Sequence, residues 1–181
     1  MPKTTAVAQD GVETIPFARD GRIPNNDRLP LVLYRNALPP SADPATQCEA
    51  LFHQNGWGGG WRAGGVHPYL HYHSTRHEAI GVVRGSSRVR LGGPNGAVVE
   101  IKVGDVVVIP AGVAHEGLSA SEDFLIVGAY PFGLGKPDLC TGSDEPGAIE
   151  REIENINSTK MPVTDPVFGK DGPLIEHWLA G

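Results

Sequence analysis

The sequence predicts a mainly β fold, with one clear helix before the strands and a mixture of helix and loop after them. Between about Gly64 and Tyr130, apolar and polar residues alternate with the period of two that half-buried strands show. The runs in this region are short and rich in β-branched residues. The 24 glycines and 16 prolines stand mostly between such runs, which indicates many turns. This spacing is typical of a sandwich or a barrel.

The first 40 residues are predicted to be irregular, apart from one short edge strand between Leu29 and Leu33. Pro30 argues against a central strand because proline cannot donate a ladder hydrogen bond. The next segment, SADPATQCEALFHQNG, predicts a helix. Asp43 suits the N-cap, Pro44 the first helical position and Gly56 the stop.

Five segments predict the strands of the β region: EAIGVVRG, SRVRLGG, GAVVEIK, GDVVVIPAG and DFLIVGAYP. GGPNG is predicted to be a hairpin loop between two of them. Beyond Tyr130 the alternation stops, and a helix is predicted from about Gly147 to Asn155. The tail DPVFGKDGPLIEHWLAG is expected to wrap the β core.

Composition excludes several classes of protein. A chain of 181 residues is most simply one domain, here 1–181, with an arm and helix over about 1–63 and an extension over about 131–181. The net charge of -6, without a Lys/Arg cluster, argues against a nucleic-acid partner. No segment has the length and apolarity of a signal peptide or a membrane span. Cys48 and Cys140 are expected to be free thiols, so the cytoplasm is the expected location.

Histidine spacing predicts a metal site. His71 and His73 lie two apart, so on an extended backbone both side chains face the same way. Glu78 and His115 could complete a set of three nitrogens and one oxygen, which suits Mn, Fe, Co, Ni, Cu or Zn. The alternative is an exposed polar pair, but the carboxylate and the fourth side chain at matching positions favour a metal.

Two motifs resemble those of the cupin superfamily. The first, G(x)5HxH(x)4E(x)6G, corresponds to Gly65, His71, His73, Glu78 and Gly85. The second, G(x)5PxG(x)2H(x)3N, corresponds to Gly104, Pro110, Gly112 and His115, and Ser119 stands where the motif has Asn. NGWGGGWR, HYHST, RLGGPNG, GAYPFG and DPVFGKDGPL together are similar to the YjlB-like monocupins, whose reaction is uncharacterised.

The resemblance implies a cupin double-stranded β-helix, or jelly-roll barrel, holding one divalent transition metal on His71, His73, Glu78 and His115. Three functions follow as hypotheses. The first is a mononuclear metalloenzyme, an oxygenase or another cupin-type enzyme such as a decarboxylase or isomerase, acting on a small polar molecule. The second is a non-catalytic cupin that binds or senses a small molecule, and the third is a purely structural metal. The resemblance also implies a homodimer.

Other residues near the motifs are candidates for the ligand pocket. Trp57, Trp61 and Arg62 could supply an aromatic wall and a guanidinium for an anionic substrate, although both indoles could instead pack the helix onto the barrel. Tyr69 shares the parity of His71 and is a weaker candidate. His77 has the opposite parity to Glu78, so it should point away from the metal and act, if at all, on the ligands or the substrate.

Overall fold

Ten strands and three helices make up the computed structural model, which describes residues 7–8 and 11–179. The strands are β1 (Val7–Ala8), β2 (Val12–Phe17), β3 (Asn26–Tyr34), β4 (Trp57–Ala63), β5 (Glu78–Arg84), β6 (Ser86–Leu91), β7 (Ala97–Lys102), β8 (Val106–Ile109), β9 (His115–Ala120) and β10 (Leu125–Pro131). The helices are α1 (Pro44–Gln54), α2 (Ala148–Ser158) and α3 (Pro173–Leu179). The mainly β fold and all five predicted strands are therefore confirmed.

The strands form two antiparallel sheets. The larger has the order β1-β2-β3-β8-β5-β10-β4, and the smaller has the order β7-β6-β9. Apolar side chains of both sheets meet in one buried cluster, which includes Leu33, Ile80 and Ile126 from the larger sheet and Val89 and Ile101 from the smaller. The barrel interior is thus a packed core along most of its length, and burial of this apolar surface is the main force that holds the two sheets together.

The outer face of the larger sheet is covered by α1 and α3. Cys48 and Phe52 of α1 and Leu174 and Trp178 of α3 belong to one buried cluster with the outward side chains of the sheet. Asp43 caps α1 as predicted, since its carboxylate accepts from the Thr46 N–H at 3.3 Å. The helix lies very close to the sheet because Gly81 has no side chain. A Cβ there would stand 2.5 Å from the Cys48 Sγ.

The prediction for the N-terminal region was wrong where the structure describes it. Instead of an irregular arm with an edge strand, residues 12–17 and 26–34 form β2 and β3, and β3 lies inside the sheet between β2 and β8. Pro30 is tolerated because the β2 ladder shifts register beyond Leu31, while β8 pairs only with residues 32–34. Residues 1–6 and 9–10 of the predicted arm, and 180–181 of the tail, lie outside the described residues.

The C-terminal extension wraps the core as predicted, and it contains a helix, α3, that the sequence reading missed. Asp165 ties this segment to the sheet. Its fully buried carboxylate accepts the Tyr34 hydroxyl at 2.5 Å, the Val167 N–H at 2.7 Å and the Leu174 N–H at 3.0 Å. Burial and the Asp165 charge both raise the pKa of Tyr34. The phenol therefore stays protonated and donates to the carboxylate.

Cys48 and Cys140 are both free, as predicted. In the part of the chain that the structure describes, no helix has the length and apolarity to cross a bilayer.

Candidate metal centre

A cavity of about 340 Å³ opens at one end of the barrel. Its wall includes all four side chains predicted to hold a metal: His71, His73, Glu78 and His115. Ile80 lies deeper, where the apolar core begins. The polar groups therefore stand at the mouth of an otherwise apolar barrel, a common setting for a small-ligand site.

Three separate pieces of chain bring these side chains together. His71 and His115 face each other across an isolated antiparallel bridge, with backbone N–H···O distances of 3.2 and 2.9 Å. Glu78 and His115 each begin a strand, β5 and β9. Residues 71–73 form no regular strand, yet the predicted parity holds. Tyr72 points away from the cavity and is fully buried.

The ligand atoms lie at distances that suit one shared ion. One nitrogen from each of His71, His73 and His115 falls within 4.8 Å of the other two. The Glu78 Oε2 lies 3.2 Å from the His115 Nε2 and 3.7 Å from the His73 Nε2. Bond lengths of about 2.0–2.2 Å to a central metal place neighbouring donors roughly 3 to 4 Å apart, so the grouping has the right scale.

The tautomer of each histidine is fixed by a backbone carbonyl. The Nδ1 of His71 is 3.0 Å from the Tyr69 carbonyl oxygen, and that of His115 is 3.2 Å from the Val113 carbonyl oxygen. The Nδ1 of His73 contacts the Asp138 carbonyl oxygen in the same way. A carbonyl only accepts, so each Nδ1 carries the proton. The three Nε2 lone pairs are left free for the cavity, the arrangement that metal-binding imidazoles usually have.

The electrostatics favour a neutral His71 beside a charged Glu78. Burial, reinforced by the neighbouring His115, lowers the pKa of His71 to about 4. For Glu78, burial acts to raise the pKa, but the interactions with His115, His73 and His71 outweigh it, so the net shift is downward. Both states are the ones in which these groups bind metals.

A buried atom without a partner tests whether a cation fits here. In the described part of the chain, the Glu78 Oε2 is buried and has no hydrogen-bond partner of acceptable geometry. An unpaired buried carboxylate oxygen is costly, and a bound cation would satisfy it. The residues present therefore fit a divalent transition metal.

Asp138 holds one side of the site, and sequence reasoning missed it. Besides its carbonyl contact to His73, its carboxylate accepts the Ser74 N–H at 2.9 Å and the Thr75 hydroxyl at 3.0 Å. These bonds fasten the C-terminal extension to the loop that follows the HxH pair. Burial opposes ionisation, but the bonds to Ser74, Cys140 and Thr75 lower the pKa of Asp138 overall. The sequence offers no signal for it because 64 residues separate Asp138 from Ser74.

Tyr130 is a second residue that the sequence reading did not select. Its ring lines the cavity at right angles to His73, with centroids 6.2 Å apart, and its hydroxyl accepts from the Trp61 Nε1 at 2.9 Å. Burial and the nearby charge of Glu78 raise the pKa of Tyr130 to about 12. The alternation of side chains along the strand was a usable signal for Tyr130. Ile126 and Gly128 of the same strand also face inward, so a residue two positions further on should do the same.

The predicted pocket residues of NGWGGGWR separate to opposite faces of β4. Trp61 lines the cavity, whereas Trp57 is fully buried in the cluster beneath α1, and its Nε1 donates to the Thr164 carbonyl. Arg62 forms an ion pair with Glu49 of α1 at 2.7 Å. The structure thus corrects the placement of Trp57 and Arg62. The cause is an extra residue in β4 opposite β10, at glycines 59–60, which reverses the inward and outward alternation.

The remaining candidates lie at or beyond the rim. Tyr69 is 42% exposed, does not line the cavity, and stacks on His67, which does. Its backbone carbonyl contributes by orienting His71.

His77 points away from the metal group. Its ring lies 4.7 Å from that of Trp178, and burial lowers its pKa to about 4. It is a neutral side chain between the sheet and α3.

Two sequence comparisons identify the family. Residues 61–127 match the Cupin domain. The "Uncharacterized protein YjlB" of Bacillus subtilis (strain 168) is 42% identical over 167 residues, which cover 92% of this chain and 96% of that protein. The chain belongs to the YjlB-like cupins. The resemblance in the motifs is thereby confirmed, together with the cupin fold.

Solved structures also resemble this YjlB-like cupin at a distance. An acireductone dioxygenase from Bacillus anthracis with a cadmium ion in its active centre is 16% identical, with 60% of this chain and 82% of that chain covered and a TM-score of 0.38. A mutant of the oxalate decarboxylase OxdC from Bacillus subtilis is 12% identical, with 77% and 30% covered and a TM-score of 0.34.

The one departure of this YjlB-like cupin from the second motif lies away from the metal group. Ser119 is in β9, and its carbonyl accepts the Ser87 hydroxyl at 2.7 Å across the smaller sheet. The side chain that differs is exposed, so the four polar residues of the cavity are unaffected by the substitution.

Proposed function

We propose that this protein is a mononuclear metalloenzyme that holds one divalent transition metal on His71, His73, Glu78 and His115 and acts on a small polar molecule. The observation that carries the proposal is the common tautomer of the three histidines. Each Nδ1 is engaged by a carbonyl, so three Nε2 lone pairs face one cavity beside a buried carboxylate. Fe, Mn, Ni, Co, Cu and Zn all accept such a donor set.

The protein groups around this site can bind and orient a small molecule. A metal bound there would supply Lewis acidity and, in the case of Fe, Mn or Cu, a centre for dioxygen activation. The Tyr130 hydroxyl accepts the Trp61 indole N–H, and its own proton can be donated either to the neighbouring Glu78 carboxylate or to a substrate oxygen at the cavity wall. Ile80 and Ala63 form an apolar wall that excludes water from one side. An oxygenase is the first candidate, and a decarboxylase or isomerase uses the same groups.

The first experiment is elemental analysis of protein expressed without a chelating tag. Wild type is compared with the double variant His71→Ala, His73→Ala and with a matched control, His53→Ala, His177→Ala, which removes two histidines that lie outside the cavity. We expect near-stoichiometric metal in wild type and control and none in the first double variant. Wild-type protein with no more metal than that variant would contradict the proposal.

Metal identity then directs the search for a reaction. With Fe, Mn or Cu we expect oxygen uptake in a screen of small polar substrates, whereas Zn or Ni directs the screen to decarboxylation and isomerisation. Recovery of an unmodified ligand that stays tightly bound, without turnover, would instead support the alternative of a cupin that binds or senses a small molecule.

Four further expectations from the sequence stay predictions. The chain is one cupin domain over 1–181, it forms a homodimer, it works in the cytoplasm and it does not bind nucleic acid. Sedimentation analysis tests the homodimer, and limited proteolysis tests the single domain. Cell fractionation tests the location, and a titration with duplex DNA at low salt tests the absence of nucleic-acid binding.

A further inference from the structure

Arg76 is a buried cation without an acidic partner. It lies in the loop between His73 and Glu78 and is 7% exposed. Among the described residues, no Asp or Glu forms an ion pair with it. The Nη2 of Arg76 donates to the Leu134 carbonyl, and its Cζ lies 5.3 Å from the centre of the Tyr130 ring. Its Nε has no hydrogen-bond acceptor among the described residues.

This environment leaves most of the positive charge of the Arg76 guanidinium uncompensated. A single carbonyl and one aromatic face replace only part of the hydration that a guanidinium loses on burial. Among the described residues, the other arginines that form no ion pair stand at positions 19, 28, 84 and 88, and all four are exposed to water. Arg76 differs from them because it is buried.

Arg76 forms part of an open cleft of about 330 Å³ beside the metal cavity. The cleft is bordered by residues 131–137 and by glycines 58–59, and none of the acidic side chains that the structure describes lines it. Lys136, which is exposed, brings a second positive charge to the same cleft. The loop borders open space at Gly133 and Gly135, where an added Cβ would meet nothing within 4 Å. Two cations and an open glycine loop are features of anion sites.

We propose that this cleft binds a small oxyanion, a carboxylate or a phosphate group, between Arg76 and Lys136. The planar guanidinium and the ammonium are the two side chains best suited to such groups. Tyr130 lines the cleft and the metal cavity alike, so the two binding sites stand on either side of one ring. The oxyanion site goes beyond the proposed metalloenzyme and does not require the metal.

The test is a calorimetric titration of the full chain with inorganic phosphate and, separately, with malonate. Chloride at equal ionic strength is the reference, and chelator-treated and metal-loaded protein are both used. We expect saturable binding of at least one oxyanion, and the tighter of the two identifies phosphate or carboxylate as the ligand group.

Two variants locate the site. Lys136→Ala changes an exposed side chain and should fold normally, and we expect it to weaken oxyanion binding roughly tenfold, because it removes one charge-assisted hydrogen bond. Arg76→Gln should abolish binding. Lys170→Ala, which removes an exposed lysine that does not line the cleft, is the matched control and should bind as wild type does.

Two results would overturn the inference: no saturable binding by wild type, or equal binding by wild type and Lys136→Ala. If Arg76→Gln fails to fold, Lys136→Ala still decides the matter. Oxyanion binding by chelated protein is measured independently of metal content, so the failure of this inference and the failure of the proposed metal centre are separate results.

Discussion

The two faces of β5 have different roles, although both are buried. On the outer face, Ala79, Gly81 and Val83 pack against α1. On the inner face, Ile80 and Val82 belong to the barrel core, and Glu78 places a carboxylate at its mouth. The outer face is apolar and closely packed, whereas the inner face ends in a charged group with one unpartnered oxygen.

This difference teaches how to separate stability from function in a small barrel. Burial alone does not distinguish the faces, because Glu78 is 2% exposed and Ala79 is fully buried. The distinguishing property is whether each polar group has a partner within the protein. Substitutions on the outer face should lower the free energy of unfolding and leave metal binding unchanged. Substitutions at Glu78 should weaken metal binding and leave the free energy of unfolding largely unchanged.

Glu78→Gln is expected to have the largest effect on metal binding. The amide is isosteric, but it removes the charge of one direct ligand. We expect metal affinity to fall by more than the roughly 100-fold upper end known for outer partners of metal ligands. The metal-free variant should melt at or above the temperature of metal-free wild type, since a buried charge is lost. Isothermal titration with the native metal and thermal melts check both. A large loss of stability in the metal-free variant would break the comparison of the two faces.

Asp138→Ala should weaken metal binding by about 10- to 100-fold, equivalent to about 1.4–2.7 kcal/mol. The variant removes the carboxylate that joins the extension to Ser74 and Thr75, so the carbonyl that orients His73 loses its support. The same titration measures the loss. Asp144→Ala is the control, because Asp144 lies in the same extension and forms only an exposed ion pair with Arg22 at 3.5 Å. Equal affinities for the two variants would contradict a positioning role for Asp138.

Gly81→Ala tests the outer face. The new methyl group would stand 2.5 Å from the Cys48 Sγ and 3.2 Å from the Phe52 ring, so α1 must move outward. Overpacking of this kind typically costs about 1–3 kcal/mol of unfolding free energy. We expect that loss in denaturant titrations, with metal content unchanged. Loss of metal together with stability would show that the two faces of β5 are coupled.

Arg62→Ala should have the smallest effect. Its guanidinium touches the same helix as Gly81, but through an exposed ion pair with Glu49. Such pairs contribute about 0–1 kcal/mol. We therefore expect a melting temperature close to that of wild type and full metal content, both measured beside Gly81→Ala. A drop in metal content would contradict this expectation and would support the ligand-pocket role that the sequence suggested for Arg62.

The sequence predicted the features that depend on local spacing. The two motifs place His71, His73, Glu78 and His115 at positions that the fold brings into one cavity. The cap of α1 and the strands after Glu78 follow equally from neighbouring residues. Parity also predicted that His77 faces away from that cavity, and the structure places it against Trp178.

The features that the sequence did not reveal depend on contacts between distant segments or on register. Asp138 supports His73 across 65 residues, and no local pattern marks it. The glycine bulge in β4 reverses the alternation, so the side of the sheet occupied by Trp57 could not be inferred from that of Trp61. Pro30 lies in β3 because the ladder is irregular there, which only the pairing with β2 reveals.

The attachment of Asp165 to Tyr34 also constrains the order of assembly during synthesis. The ribosome produces β3 more than a hundred residues before the segment that covers it, since Tyr34 and Asp165 are 131 positions apart in the sequence. Until Leu174 and Trp178 emerge, the part of the outer sheet surface that α3 covers stays open to water and to chaperones. Completion of this side of the fold therefore waits until α3 has been synthesised.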